Sequence, residues 1–224
     1  MKNNIEVEIC TFSLESCLNA QLAGASRVEL CSGMYDGGTT PSAAMIRMAR
    51  EKLSIQLYVM IRPRGGDFLY SDLEFEMMKE DIRFAKACRA DGVVLGILNA
   101  DGSVDVRRTR ELVELAAPLK VTFHRAIDMT RDMEEALEGI IEAGCYRVLT
   151  SGGRNTVNEG MERIKALVKQ ARGRVQIMAG SGVNAANAGM LIEAGVDAIH
   201  LSGKSGRDSE MKFRNPNVFM GGVP

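Results

Sequence analysis

The sequence predicts an α/β protein of the (β/α)₈ barrel type, similar to a TIM barrel, in one domain over residues 1–224. Short β-branched segments alternate along the chain with longer segments of helical period, and the connections between them are short. Alternation of this kind gives parallel strands joined by right-handed crossovers. Eight such strands close most economically as a barrel, and a doubly wound open sheet is the structural alternative.

The strand segments are short runs in which β-branched and other apolar residues recur. They occupy residues 5–10, 27–31, 55–61, 92–95, 120–124, 147–150, 175–179 and 198–201.

The segments between the strands have the period of amphipathic helices. Leu137, Ile140 and Ile141 have i, i+3, i+4 spacing, which indicates one buried stripe. Several segments end in Ala-Gly, as at Ala143-Gly144, which is typical of a helix end capped by a left-handed glycine. Helices are expected near residues 13–24, 42–52, 72–90, 105–116, 132–143, 156–172 and 184–194.

The eighth helix of the barrel is expected to be absent. Residues 204–224 are polar, rich in Gly, Asn and Pro, and have no helical period. Outward apolar residues of the last strand, such as Ile199 and Leu201, would then be uncovered. Either a second copy of the chain or a folded-back tail that includes Phe213, Val218 and Phe219 should cover them, and we expect a homo-oligomer.

Composition excludes several classes of protein. The net charge of −1 gives no general attraction to nucleic acid or to a membrane surface. No apolar run approaches the roughly 20 residues that span a bilayer, and no signal-peptide pattern precedes the first strand. Five cysteines without a C-x-x-C pair predict neither a disulfide framework nor a zinc site. We therefore expect a cytoplasmic protein.

Polar residues alternate with apolar ones in the first two strands. Glu8 and Cys10 share one face of the first strand, and Glu29 and Cys31 share one face of the second. The opposite faces are apolar and must meet the helices, so these carboxylates and thiols should point into the barrel. The carboxyl ends of the strands form the face that carries the active site in such barrels.

The only two histidines, His124 and His200, both lie at the carboxyl ends of strands. An acid–base site is therefore expected, with Glu8 or Glu29 as general base and His124 or His200 as general acid. The alternative is that the buried acids form a purely structural ion-pair network with Arg62, and that the histidines only fill the core.

A second set of residues could bind a small anion such as a phosphate or carboxylate. Glycine-rich segments follow the last three strands, and backbone N–H groups in such turns bind phosphate in many barrels. Guanidinium groups add bidentate donors. The expected anion-binding residues are Arg62, Arg64, Arg125, Ser151, Gly152, Gly182 and Gly203. Alternatively, the glycines serve only to make tight turns.

Several motifs together resemble the copper homeostasis protein CutC family, and the resemblance covers about residues 5–203. The Arg-Pro-Arg-Gly-Gly-Asp-Phe run over residues 62–68 is the most specific of them. Further matching runs are residues 28–32, 37–42, 122–128, 149–153, 179–183 and 199–203. The resemblance implies a TIM-like barrel, a cytoplasmic location and a role in Cu(I) handling, and no organic cofactor is implied.

The two cysteines at the ends of the first two strands are candidate metal ligands. Thiolates are soft ligands that select Cu(I), and Cys10 and Cys31 should lie close together. The alternative is that they are two small side chains packed under loops. Two functions therefore remain open: a Cu(I)-binding protein, or an enzyme that acts on a small phosphorylated or carboxylated metabolite by acid–base catalysis.

Overall fold

A computed structural model describes residues 5–206 and 208–218. Eight parallel strands form a closed barrel in the order β1 to β8, and β8 pairs with β1 to close it. This confirms the predicted barrel. The strands are β1 (Glu6–Thr11), β2 (Arg27–Leu30), β3 (Gln56–Met60), β4 (Gly92–Leu95), β5 (Lys120–Phe123), β6 (Arg147–Thr150), β7 (Gln176–Gly180) and β8 (Ala198–Leu201).

A helix follows each of the first seven strands, close to its predicted position. The helices are α1 (Leu14–Leu22), α2 (Ala43–Lys52), α3 (Asp72–Ala87), α4 (Val106–Ala116), α5 (Met133–Glu142), α6 (Val157–Ala171) and α7 (Ala188–Glu193). Short 3₁₀ turns over Met34–Asp36 and Arg125–Met129 were not predicted. No helix follows β8 in residues 202–206 and 208–218, in agreement with the expected absence of an eighth helix.

Strand alternation divides the side chains between two environments. Outward residues such as Val28, Leu30 and Val93 are buried against the helices in one continuous apolar core. Inward residues are largely polar: Arg27 and Arg147 are buried inside the barrel, where both pair with Glu6 from β1. These ion pairs share the interior with two small apolar clusters, one around Tyr58 and Met60 and one around Leu149 and Met178, and they supply the partners that buried charges require.

The described part of the tail does not fold back onto the barrel. Phe213 and Val218 are 75% and 54% exposed, so the expectation that they cover the last strand is wrong, and Phe219 lies outside the described residues. A polar segment without helical period has no apolar face with which to dock. Ile199 is buried in the core all the same, whereas Leu201 is only half-buried.

None of the described helices is both long enough and apolar enough to cross a membrane.

Candidate functional site

Five side chains from three neighbouring strands meet inside the carboxyl-terminal end of the barrel, and we call them the mouth cluster: Glu8, Cys10, Glu29, Cys31 and His200. The register explains the meeting, because Glu8 lies opposite His200 across β1 and β8, and Cys10 lies opposite Glu29 across β1 and β2. The sequence predicted the inward direction of four of these residues from the period of two in β1 and β2. The structure therefore brings together most of the predicted catalytic residues and both predicted metal ligands.

The two thiols are neighbours within this cluster. The Sγ atoms of Cys10 and Cys31 are 3.9 Å apart, and both cysteines are free. The Cys31 sulfur also lies 3.5 Å from Glu29 Oε2. One ligand atom from each of these three residues fits within 4.8 Å of the others, which is close enough to surround one metal ion.

The carboxylates and the imidazole form the other half of the cluster. His200 Nδ1 lies 2.7 Å from Glu8 Oε1, and His200 Nε2 lies 4.0 Å from Glu29 Oε2. Glu8 also pairs with Arg27, whose Nε is 2.5 Å from Glu8 Oε2. Glu8, Glu29 and His200 form a second set of possible metal ligands that shares Glu29 with the first. The cluster thus has a soft, sulfur-rich side and a harder side of oxygen and nitrogen.

The thiol pair has one acidic member. The hydrogen bond from Cys31 lowers the pKa of Cys10 to about 5, and His200 contributes in the same direction against the effect of burial. The pKa of Cys31 is raised well above its usual value, because Cys31 donates the hydrogen bond to Cys10 and because its thiol is buried. At neutral pH the pair therefore consists of a Cys10 thiolate and a Cys31 thiol, and the thiolate is the form that binds metals.

The pKa values of Glu8, Glu29 and His200 are also shifted. Burial would raise the pKa of Glu8, but the hydrogen bond from His200 and the charge of Arg27 outweigh it, so the pKa lies below its usual value. Burial and the nearby Cys10 raise the pKa of Glu29 well above its usual value. Burial opposes charge on His200, but Glu29, Cys10 and Glu8 raise its pKa well above 6.5. The cluster therefore holds a protonated imidazole beside the Glu8 carboxylate and the Cys10 thiolate.

His124 lies apart from the mouth cluster, at the end of β5, across the barrel from β1. Its Nδ1 accepts from the backbone N–H of Ala126, and its ring packs against Phe68 with centroids 4.9 Å apart. Burial and the charge of Arg62 lower its pKa to about 3. His124 is thus neutral at physiological pH. Its expected role as a general acid stays a prediction, and the lowered pKa does not favour it.

Two of the three predicted anion-binding arginines are occupied by the protein itself. Arg62 is buried, and its Nη atoms donate to the carbonyl oxygens of Asp36, Gly38 and Gly66. Arg64 pairs with Glu74 and Asp67. These contacts tie together the loops after β2 and β3.

Asp128, which the sequence analysis did not single out, occupies the glycine-rich turn after β6. It accepts from the backbone N–H groups of Ser151 and Gly153, while the N–H of Gly152 donates to Thr150 Oγ1. These amides are therefore not available to an anion. An anion contact at Ser151 and Gly152 stays a prediction that this geometry does not favour.

The other two predicted anion-binding glycines lie after β7 and β8. Gly182 and Gly203 both have positive φ, 75° and 49° respectively, and Gly203 is exposed. Their expected contact with an anion stays a prediction.

Arg27, the partner of Glu8 inside the barrel, is a second residue that the sequence analysis missed. Its parity with Glu29 and Cys31 along β2 already placed it inside the barrel, and that signal could have identified it.

Comparisons with known proteins agree on the family. The family model that matches, described as the CutC family, covers residues 5–205. A mouse protein named copper homeostasis protein cutC homolog is 49% identical over 98% of this chain and 81% of its own length. A CutC family protein from Bacteroides thetaiotaomicron is 50% identical over 97% of this chain and 88% of its own length.

Solved structures show the same fold. A CutC crystal structure from Streptococcus agalactiae has a TM-score of 0.83 and 37% identity, over 88% of this chain and 98% of that one. An aldolase named QR15 has a TM-score of 0.69 at 19% identity, over 89% of this chain and 91% of that one, which shows the barrel fold alone.

Proposed function

We propose that this chain, which belongs to the CutC family, takes part in copper homeostasis by binding Cu(I) as cargo at Cys10 and Cys31. The observation that carries the proposal is the pair of free thiols 3.9 Å apart at the barrel mouth. Relatives that are about half identical over nearly the whole chain have names that refer to copper homeostasis.

The donor set suits a soft monovalent ion. Two thiolates select Cu(I) over harder ions, which prefer oxygen and nitrogen ligands. A disulfide would need sulfurs about 2.05 Å apart, so the pair at 3.9 Å is in its reduced form. Thiol ligands of this kind require a reducing compartment, and we place the function in the cytoplasm.

The neighbours of the thiols prepare them for a cation. Cys10 is already a thiolate at neutral pH, so only Cys31 has to lose a proton when the ion binds. Glu29 Oε2 lies 3.5 Å from the Cys31 sulfur, and its raised pKa favours a protonated carboxyl there, so the Cys31 proton leaves to solvent when the ion binds. The protonated His200 would balance the second negative charge that the pair gains.

The alternative, an enzyme that acts on a phosphorylated or carboxylated metabolite, has less support. Acid–base catalysis would need an anion held near Glu8 and His200. The amides of residues 151–153 and most donors of Arg62 and Arg64 are already bonded within the protein. We therefore favour Cu(I) binding.

Competition between the protein and a Cu(I) chelator tests the proposal. Cys10→Ser and Cys31→Ser should each weaken Cu(I) binding by about 100-fold or more, beyond the 10–100-fold typical of losing an outer partner of a ligand. Cys88→Ser is the matched control, because Cys88 is a free cysteine at the end of α3, outside both candidate ligand sets, and its loss should leave the affinity unchanged. Equal affinity in wild type and in the double variant Cys10→Ser, Cys31→Ser would refute the proposal.

A further inference from the structure

A cavity of about 680 Å³ opens among the loops that follow β3, β4 and β5. Its volume lies within the roughly 300–1,000 Å³ of small-molecule sites. Its lining comes mainly from residues 66–69, 98–102 and 125–129, with Asp36 and Gly37 at one side. No residue of the mouth cluster is part of that lining. The cavity is thus a separate feature from the two thiols.

The lining of the cavity is largely apolar, and some of its apolar side chains are exposed to solvent. Phe68 and Leu98 form part of the lining, together with Leu69 and Met129. Leu69 is 48% exposed and Met129 is 68% exposed. Large apolar side chains that converge on one exposed concavity are typical of a ligand site, because a bound apolar group would remove them from water.

One positively charged group of the lining is held rigidly. The Nε of Arg125 donates to Asp128 Oδ2 at 2.8 Å, and its Nη2 donates to Ser151 Oγ at 2.8 Å. Asp128 is itself fixed by the backbone N–H of Gly153. No hydrogen bond is seen from Arg125 Nη1 to any described residue. The guanidinium is therefore preorganised and keeps donors that a ligand can use.

Two of the three acidic residues of the lining already have partners. Asp67 pairs with Arg64 at 3.0 Å, and Asp128 accepts from the amides of the turn after β6. The third, Asp36, lies at the side of the cavity next to Gly37. The guanidinium of Arg62, held over the ring of Phe68, adds positive charge to the same wall. Arg125 is therefore the charged group of the lining that keeps donors for a ligand.

We propose that this cavity binds a small organic carboxylate with an apolar body. The carboxylate would bind Arg125, and the apolar body would cover Phe68, Leu69 and Met129. The site goes beyond Cu(I) binding and does not depend on it.

Three probes with the same body and different charge test the ligand class: 3-phenylpropionate, 3-phenylpropanamide and 3-phenylpropylammonium, each titrated by calorimetry. The carboxylate should bind with a Kd on the order of 1 mM or tighter. It should bind about tenfold more tightly than the amide, because hydrogen bonds to a charged group are the stronger ones. Binding of the ammonium probe as tight as that of the carboxylate would overturn the proposal, and so would no binding of the carboxylate.

Variants locate the site. Arg125→Gln should abolish the preference for the carboxylate over the amide, and Met129→Ala, at an exposed position that does not threaten the fold, should weaken both probes. Arg110→Gln is the matched control, since Arg110 is similarly exposed and paired with one acid, and it should change nothing. The double variant Cys10→Ser, Cys31→Ser should bind the carboxylate as wild type does, which separates this site from the copper proposal. Unchanged probe affinities in Arg125→Gln or in Met129→Ala would overturn the assignment.

Discussion

At the scale of single residues, the two histidines show how the neighbours of a side chain decide its charge. Both lie inside the barrel at the carboxyl end of a strand. Glu29, Cys10 and Glu8 surround His200 and raise its pKa, whereas burial and the charge of Arg62 lower that of His124 to about 3. The same residue type near the ends of two strands therefore carries a charge at one position and none at the other.

Because His124 is neutral in the folded protein, we expect the free energy of unfolding to depend on pH in the acid range. Below the unfolded pKa of about 6.5, the unfolded chain binds a proton at His124 that the folded chain does not bind until about pH 3. The free energy of unfolding should therefore fall as the pH drops through this interval, by up to about 1.4 kcal/mol per pH unit from this residue. In His124→Asn, whose amide can replace Nδ1 as the acceptor for Ala126, that part of the slope should be missing. Urea denaturation at several pH values measures the difference.

Nuclear magnetic resonance provides an independent check of the same prediction. With only two histidines in the chain, His124→Asn assigns the ring signals directly. A His124 signal that titrates with a midpoint near 6.5, or an unchanged pH slope in the variant, would contradict a neutral buried ring.

At the scale of elements, the close approach of α6 to the turn after β6 depends on glycine. A Cβ at Gly160 would lie 1.8 Å from the carbonyl oxygen of Ser151, and a Cβ at Gly152 would lie 2.3 Å from the carbonyl oxygen of Gly160. Gly152 also has a φ of 73°, which side chains rarely tolerate. This contact keeps the turn, and with it Asp128 and Arg125, in place.

Gly160→Ala should therefore destabilise the protein although alanine is the better helix former. The clash involves backbone atoms that cannot move aside cheaply, so we expect a loss of about 3 kcal/mol or more in the free energy of unfolding. Gly189→Ala is the control, since Gly189 lies in α7 with nothing within 4 Å of the added Cβ. That variant should be neutral or more stable by up to about 1 kcal/mol. Similar unfolding midpoints for the two variants would contradict the proposed contact.

The elements were predictable from sequence to the extent that local patterns determine them. The period of two in β1 and β2 correctly placed Glu8 and Glu29 inside the barrel, because the apolar faces had to meet the helices. The prediction that Gly152 helps to bind an anion is less well supported by the structure. Its turn has the composition of an anion site, but its amides are taken by Asp128 and Thr150, and such partners are set by tertiary contacts across strands. The same holds for Arg62, because two of the carbonyl groups that accept from it belong to the loop after β2, a contact that no local pattern predicts.

At the scale of the whole molecule, the barrel has one thinly covered flank. Val7 and Ile9 on β1 and Leu201 on β8 point outward and are only half-buried, whereas the outward residues of β2 to β6 are fully buried under helices. Residues 208–218 are exposed and do not cover this flank. The homo-oligomer expected from the sequence stays a prediction, and this flank is where we expect the subunits to meet.

Light scattering at micromolar concentration tests that prediction. Half-buried apolar residues on adjacent strands form a patch that is costly to leave in water, and a second copy of the same patch can cover it by a two-fold arrangement. The wild-type protein should therefore have a mass above that of the 24.4 kDa chain. Leu201→Gln should shift the protein toward the monomer, because it places a polar group in the patch. Leu73→Gln should not, since Leu73 is exposed on α3, away from β1 and β8. A strictly monomeric wild type, or equal association in both variants, would show that this flank stays in contact with solvent.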